Sequence, residues 1–151
     1  MNALGFLTKR AMWHISALGS AIFMIILILF YFFLGKSRLS FELFIGLLIV
    51  FAVAVPIKLL CYKDRPKKRI FSNLIEKIDA ASFPSIHANR AAMIFIIMSF
   101  YFWSIPMVLF LFAMSILVSY SRIYLERHYL KDVIFGYVFG LVEGALIVFL
   151  A

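Results

Sequence analysis

Ser121–Asp132 reads S-R-I-Y-L-E-R-H-Y-L-K-D and stands between two long apolar runs. Polar side chains are costly in such surroundings, so a hydroxyl, several cations, an imidazole and a carboxylate in this stretch point to a function. His128 and Asp132 have the i, i+4 spacing that places two side chains on one face of a helix. A carboxylate next to an imidazole fixes its tautomer and leaves the other ring nitrogen free to attack or to accept a proton. A charged loop between two membrane spans would look the same, so this stretch alone leaves both interpretations open.

The composition is typical of an integral membrane protein. Of the 151 residues, 66% are hydrophobic and 15% are charged, whereas a soluble domain averages about 45–50% apolar and about 25% charged residues. The net charge of +8 lies mostly in short connectors between apolar runs. This distribution fits anionic lipid headgroups or phosphorylated substrates and argues against nucleic acid. Cys61 is the only cysteine, which excludes an internal disulfide and a cysteine-based metal site.

Five apolar stretches predict an all-α, integral-membrane helical bundle with five transmembrane helices, forming a single domain over residues 1–151. A twenty-residue helix is about 30 Å long, which is the thickness of the hydrocarbon core of a bilayer. Residues 1–14, with Lys9, Arg10 and Trp13, predict an interfacial N-terminal segment. The predicted spans are Ile15–Leu34, Leu39–Ile57, Ala88–Trp103, Pro106–Tyr120 and Lys131–Ala151.

The connector over residues 61–87 is the predicted active-site segment. Its apolar residues recur at helical spacing, and polar residues fill the opposite face. This pattern favours a short interfacial helix between the second and third spans over a disordered loop. The apolar residues of this stripe are Ile70, Phe71, Leu74, Ile75 and Ile78.

The fifth predicted span carries small residues and one carboxylate. Gly136, Gly140 and Gly144 stand four residues apart and predict a groove in which another helix can approach closely. Glu143 is a candidate for a functional membrane carboxylate, but a hydrogen-bonded group inside the bundle is the favoured interpretation.

Alternating spans bring three polar clusters to one side of the membrane. The cations can neutralise a dianionic group, to which Ser85 and the amides at the start of the third span can donate hydrogen bonds. His128 is the candidate nucleophile, and His87 is the candidate acid that protonates the leaving oxygen and then activates water. No carboxylate cluster is placed to hold magnesium, and two histidines make a poor zinc site, so we expect metal-independent phosphoryl transfer without a cofactor. The clusters are Lys58 with Arg65, Ser85 with His87, and Arg122 with His128 and Asp132.

These residues resemble the type-2 phosphatidic-acid phosphatase superfamily, which also includes the vanadium-dependent haloperoxidases. The family pattern is K-x6-R-P, then P-S-G-H, then S-R-x5-H-x3-D. The chain has Lys58-x6-Arg65-Pro66, Pro84-Ser85-Ile86-His87 and Ser121-Arg122-x5-His128-x3-Asp132. The resemblance spans about residues 39–151 and implies a phosphohistidine intermediate. It implies His128 with Asp132 as the nucleophile pair, His87 as the acid, and Lys58, Arg65, Ser85 and Arg122 as the phosphate ligands.

The chain departs from the family pattern in two respects. Ile86 stands where the family usually has glycine. A β-branched residue does not easily take a positive φ, so the amide geometry would differ if that glycine supplied one. We expect this change to tune the pocket and not to abolish activity. Membrane members of the family commonly have six spans, and from the five predicted here we expect the helix that differs to be at the N-terminal end.

A site at the membrane surface favours a lipid phosphate as the substrate. A small polar roof and a bundle with 18 phenylalanines favour a slim polyprenyl tail of undecaprenyl or dolichyl type, on a diphosphate or a monophosphate. Phosphatidylglycerophosphate, phosphatidate and lipid A phosphates are the alternatives that the resemblance offers. A lipid phosphotransferase and a non-catalytic membrane protein that binds anionic lipid are the competing functions. A transporter is disfavoured, because no ionisable pair or paired helix break is predicted mid-membrane.

The distribution of positive charge predicts which face of the membrane carries the site. Of the 15 lysines and arginines, only Lys36 and Arg38 lie on the opposite side. By the positive-inside rule this imbalance favours a cytoplasmic site, although many bacterial members of the family have the site on the outer face.

Overall fold

The computed structural model describes residues 3–67 and 70–150, and this part of the chain is all-α with seven helices. The predicted all-α membrane bundle is thereby confirmed. Residues 1 and 2 of the predicted interfacial segment and residue 151 of the predicted last span lie outside the described residues. The helices are α1 (Ala3–Ala17), α2 (Ala21–Phe33), α3 (Ser37–Leu60), α4 (Leu74–Ala80), α5 (Ile86–Phe102), α6 (Ile105–Tyr124) and α7 (Leu130–Leu150).

Three helices of the described chain, α3, α6 and α7, are long and apolar enough to cross a membrane, and α1 with α2 makes a fourth span if the bent pair counts as one. α5 is apolar but has only 17 residues. The predicted span Ile15–Leu34 is therefore not one continuous helix, since α1 and α2 meet at a bend of 52°. Gly19 lies in the break, and the Ser20 hydroxyl caps α2 by accepting the amide of Phe23 at 3.1 Å. Glycine and serine together are a common cause of a sharp helix bend.

The glycines of α7 let α5 pack directly on its backbone. A Cβ atom added at Gly136 would overlap the carbonyl oxygen of Ser85, and one at Gly140 would overlap that of Asn89. The predicted small-residue groove is confirmed by this contact. The same contact fixes the start of α5 against the start of α7, where the Ser85 amide donates to the carbonyl of Asp132 at 3.0 Å.

The buried acid of α7 is part of this helix pair. Glu143 is buried and accepts a hydrogen bond of 2.9 Å from the side-chain amide of Asn89. It does not line the active-site cavity described below. The interpretation of Glu143 as a hydrogen-bonded group inside the bundle is therefore confirmed.

The predicted interfacial helix is present as α4, which has only seven residues. Asn73 caps it by accepting the amide of Glu76 at 2.8 Å, and the Glu76 carboxylate accepts the amide of Ser72 at 2.8 Å. This arrangement is similar to a capping box, shifted by one residue on the carboxylate side, and it sets the start of α4 at Leu74. Ile70 and Phe71 therefore precede the helix, although the stripe predicted that they belong to it.

Candidate active site

A cavity of about 500 Å³ opens at the end of the bundle where α3 and α6 end and α5 begins. The structure brings together five of the seven predicted site residues in its wall, and the other two, Ser85 and Asp132, are fully buried behind it. The five residues in the wall are Lys58, Arg65, His87, Arg122 and His128. The predicted convergence of three polar clusters is therefore present.

The start of α5 supplies hydrogen-bond donors next to the cavity. Ser85 is the N-cap residue, but its side chain makes no capping bond, and its buried hydroxyl has no partner among the described residues. The first amides of a helix have no partner within the helix and carry a partial positive charge. Ile86 is the first residue of α5 and is not among the residues with positive φ in the described chain. The freedom of a glycine is thus not needed at this position.

The cationic side chains are anchored by hydrogen bonds to backbone and hydroxyl oxygens. Lys58 donates to the carbonyl of Ala81 at 2.6 Å. Arg65 donates to the carbonyl of Asp79 and lies 3.8 Å from its carboxylate. These two contacts hold the C-terminal end of α4 over the cavity, where a helix end attracts cations. Arg122 donates from Nη1 to the Ser16 hydroxyl at 2.5 Å, while its buried Nε has no partner among the described residues.

A tight turn after α6 directs His128 back towards Arg122. The amides of Arg127 and His128 both donate to the carbonyl of Arg122, at 3.0 Å and 3.2 Å. Glu126 takes a left-handed conformation with φ of 54°, which lets the chain reverse within a few residues. The S-R-x5-H spacing therefore produces a side-by-side arrangement of the guanidinium and the imidazole at the cavity.

The ring of His128 is held in one tautomer by the backbone. Its Nδ1 lies 2.6 Å from the carbonyl oxygen of Ser82, and a carbonyl only accepts, so Nδ1 carries the proton. Nε2 then keeps its lone pair for the cavity. Burial lowers the pKa of His128 well below its usual range, and the nearby charges of Arg122, Arg65 and Lys58 lower it further. The imidazole is therefore neutral at pH 7, as a nucleophile must be.

Asp132 does not bond to His128 directly, and this corrects the expectation of a carboxylate next to the imidazole. Its two oxygens accept from the Ser82 hydroxyl and the Lys63 ammonium, both at 2.6 Å, and from the Tyr129 amide at 3.2 Å. The reason is that α7 begins at Leu130, so His128 lies in the preceding turn and the i, i+4 geometry of a helix does not apply. Ser82 connects the pair, because its carbonyl holds the imidazole and its hydroxyl binds the carboxylate.

Several residues of this site were missed by sequence reasoning. Ser82 and Ser16 are single hydroxyls that no spacing singles out, and Lys63 lies among the variable positions between Lys58 and Arg65. Arg90 carried a signal, because a charge inside an apolar run is a candidate functional group. It lines the cavity, as do Arg127 and Trp13.

We expect Asp132 to act on His128 through Ser82, which a double-mutant cycle can test. Ser82→Ala should lower kcat by about tenfold, since a hydrogen bond to a buried carboxylate contributes roughly 1.5–3 kcal/mol. Asp132→Asn should lower kcat by about ten- to a hundredfold with little change in KM. The double variant should be no slower than Asp132→Asn alone, within about threefold.

Ser119→Ala is the matched control for this cycle. Ser119 is buried on α6 and donates only to the carbonyl of Ser115 in its own helix. Its replacement should leave kcat unchanged. If the losses in kcat of Ser82→Ala and Asp132→Asn multiplied in the double variant, the carboxylate would act on the imidazole by another route.

The fold and the site together define a class of protein. An apolar helical bundle with cations, two histidines and unpartnered donors around one cavity is suited to binding a phosphate group and transferring it. Residues 40–150 match the family model of the PAP2 superfamily, and the chain belongs to that superfamily. The predicted resemblance and the predicted enzyme class, a phosphatase that hydrolyses phosphoric monoesters, are thereby confirmed.

Two solved structures share the fold. LpxE of Aquifex aeolicus superposes with a TM-score of 0.79 at 23% identity, and the match covers 94% of this chain and 86% of that one. A transmembrane PAP2-type phosphatidylglycerolphosphate phosphatase of Bacillus subtilis superposes with a TM-score of 0.69, also at 23% identity. That match covers 95% of this chain and 76% of the other. Both alignments include the N-terminal helices α1 and α2, which precede the region of the family match.

Proposed function

We propose that the protein removes a phosphate group from a membrane lipid without a metal, through a phosphohistidine on His128. The observation that carries this proposal is a pair of buried donors without partners among the described residues, the Ser85 hydroxyl and Arg122 Nε. Buried donors are nearly always satisfied, so two buried donors without a protein partner beside a cationic cavity are suited to binding an oxyanion. The cavity holds the cations that such an anion needs.

The mechanism follows from the positions of the two histidines. His128 Nε2 attacks the phosphorus while the bond to the lipid oxygen breaks, and His87 gives a proton to that oxygen. Water then attacks the phosphohistidine, His87 takes a proton from the water, and inorganic phosphate leaves. Lys58, Arg65 and Arg122 stabilise the charge that spreads over the phosphoryl oxygens in both steps.

Within this mechanism the favoured substrate is a polyprenyl phosphate or diphosphate. A second cavity, of about 270 Å³, lies between α2, α5 and α6 and is lined by apolar side chains apart from Ser115. Two residues of its wall, Leu18 and Ala91, are the sequence neighbours of Gly19 and Arg90, which lie at the active-site end of the bundle. An apolar cavity of about 270 Å³ has room for part of one chain and favours a lipid with a single chain over one with two acyl chains. Phosphatidylglycerophosphate is the second candidate, because the Bacillus subtilis structure is described as a phosphatase of that lipid.

The assay that tests the proposal measures phosphate release in detergent with EDTA present. The substrates are a polyprenyl diphosphate, a polyprenyl monophosphate, phosphatidate and phosphatidylglycerophosphate. We expect release from at least one of them, undiminished by EDTA, and with the polyprenyl compounds preferred. Loss of release on chelation would contradict the metal-free mechanism. Lipid binding without any release would support the non-catalytic alternative, and a phosphorylated alcohol formed from an added acceptor would indicate a phosphotransferase.

The membrane face of the site stays a prediction from the charge distribution.

A further inference from the structure

We propose that Arg90 and Arg127 form a second anion subsite in the active-site cavity, which binds the inner phosphate of a lipid diphosphate. The inference rests on the proposed function, in which His128 attacks the terminal phosphorus. It concerns two arginines that lie outside the motifs shared with the family. Both line the same cavity as the two histidines.

Arg90 is a buried cation on α5, the helix that carries His87, the proposed acid for the leaving oxygen. Its side chain lies one helical turn beyond His87 on α5, and a spacing of three residues keeps both on one face. Its Nε donates to the carbonyl of Gly19 at 2.9 Å, and its guanidinium lies 5.9 Å from the centre of the Phe51 ring. Its terminal nitrogens make no hydrogen bond within the described chain. A buried guanidinium with its fork unused is suited to a phosphate.

Arg127 supplies the second cation of the subsite. Its guanidinium lies 4.9 Å from the centre of the Trp13 ring, a distance at which the ring holds a cation in place. Trp13 itself lines the cavity. The indole of α1 therefore keeps the arginine next in sequence to His128 at the cavity wall.

The charge of the cavity exceeds what one phosphate needs. Its wall carries five cations and, among the described residues, one carboxylate, a net charge of +4 before His87 gains the proton that it gives to the leaving oxygen. A phosphate monoester brings about −2 at neutral pH, which leaves at least two positive charges of the wall unmatched. A second phosphate brings the anionic charge to about −3 and matches the wall more closely. The cations are Lys58, Arg65, Arg90, Arg122 and Arg127, and the carboxylate is Asp79.

The two arginines of the subsite lie within the family match but are held by a part of the chain outside it. Gly19 and Trp13 belong to the corner between α1 and α2, whereas the family model begins at residue 40. This corner holds both arginines, through a carbonyl and through an aromatic ring. The matched region thus provides the catalytic residues and both arginines, and the N-terminal corner positions these arginines for the group beyond the reacting phosphate.

The subsite should act on the rate as well as on binding. When the bond between the terminal phosphorus and the bridging oxygen breaks, the leaving group is a lipid monophosphate whose negative charge increases. A guanidinium already positioned at that phosphate stabilises the transition state more than the ground state. His87 still protonates the bridging oxygen, so the products are the lipid monophosphate and, after hydrolysis of the phosphohistidine, inorganic phosphate.

Farnesyl diphosphate and farnesyl monophosphate form a substrate pair that tests the subsite, because they share one chain. In Arg90→Gln and in Arg127→Gln, kcat/KM for the diphosphate should fall by about tenfold or more, the effect of losing a charge-assisted hydrogen bond. The value for the monophosphate should change by less than about threefold. Arg90→Lys should recover part of the loss, because it keeps the charge without the planar fork.

Arg10→Gln is the matched control, since Arg10 is an exposed arginine of α1 whose guanidinium lies over Phe6 and away from the cavity. It should leave both substrates unaffected. Equal losses for the two substrates in Arg90→Gln and Arg127→Gln would overturn the subsite while leaving the phosphatase function standing.

A binding measurement separates the subsite from the proposed function. If the parent protein released phosphate from neither farnesyl compound and from none of the four lipids of the first assay, the proposed function would fail. The binding of farnesyl methylenediphosphonate and farnesyl phosphonate, which are not hydrolysed, then tests whether the subsite exists. Tighter binding of the diphosphonate by about tenfold, lost in Arg90→Gln, supports it, and equal binding of the two compounds overturns it.

Discussion

His128→Asn should abolish turnover of every phosphorylated substrate, with a loss in kcat of roughly 10⁴-fold or more, as expected when a nucleophile is removed. The substitution is chosen because an asparagine amide can still donate towards the carbonyl of Ser82, which His128 contacts at 2.6 Å. The fold and the anion site should therefore persist. Phosphate release and binding of inorganic phosphate, measured on the same preparation, check both halves of this expectation.

His14→Asn is the matched control, because His14 is an exposed histidine of α1 that does not line the cavity. It should keep full activity. A His128→Asn protein that binds phosphate and retains more than about a tenth of the parent activity would rule out His128 as the nucleophile.

The protonation state of His128 gives an independent test of the same role. Because burial and three nearby cations lower its pKa, its neutral form should persist as the pH falls below 6.5, and protonation should occur only in more acidic solution. Nitrogen NMR of labelled histidine in the free protein reports the protonation state of each ring directly. The His14 and His128 variants assign the signals. A ring that is half protonated at pH 6.5 or above would contradict this environment.

The sequence was sufficient for the fold, because the features that build a membrane bundle are local. Apolar length predicts α3, α6 and α7, and the glycines of α7 predict its contact with α5. The break between α1 and α2 was overlooked because twenty uncharged residues outweighed the Leu18-Gly19-Ser20 signal. The bend matters for the site, since it brings Gly19 next to Arg90.

The site was predicted where its residues recur at fixed spacings, and was missed where contacts join distant segments. Arg122 and Ser16 are 106 residues apart, and a single serine in an apolar helix gives no signal of its own. The prediction that the Asp132 carboxylate lies next to the His128 imidazole was wrong for a different reason. The spacing assumed a helix, but the turn that ends α6 continues to Tyr129, and Ser82 from the connector before α5 occupies the place between them.

His87→Asn should separate the two halves of the reaction. For a lipid phosphate, kcat should fall by about 10²–10⁴-fold, the usual contribution of one positioned proton transfer. For p-nitrophenyl phosphate the loss in the first step should be much smaller, because nitrophenolate leaves without a proton. The second step still lacks the base that activates water, so the phosphohistidine should accumulate. We therefore expect a burst of nitrophenolate equal to the amount of enzyme, followed by slow turnover.

The doubly substituted His87→Asn, His128→Asn protein is the control for the burst, since it lacks the group that would carry the phosphate. It should show no burst and no acid-labile protein-bound phosphate. The comparison is decisive because each histidine has one role in each half-reaction. Equal losses for the lipid and the nitrophenyl ester in His87→Asn would mean that His87 does not protonate the leaving oxygen. The proton would then have to come from another group at the cavity, and Lys58, which donates to the Ala81 carbonyl at 2.6 Å, would be the first to replace.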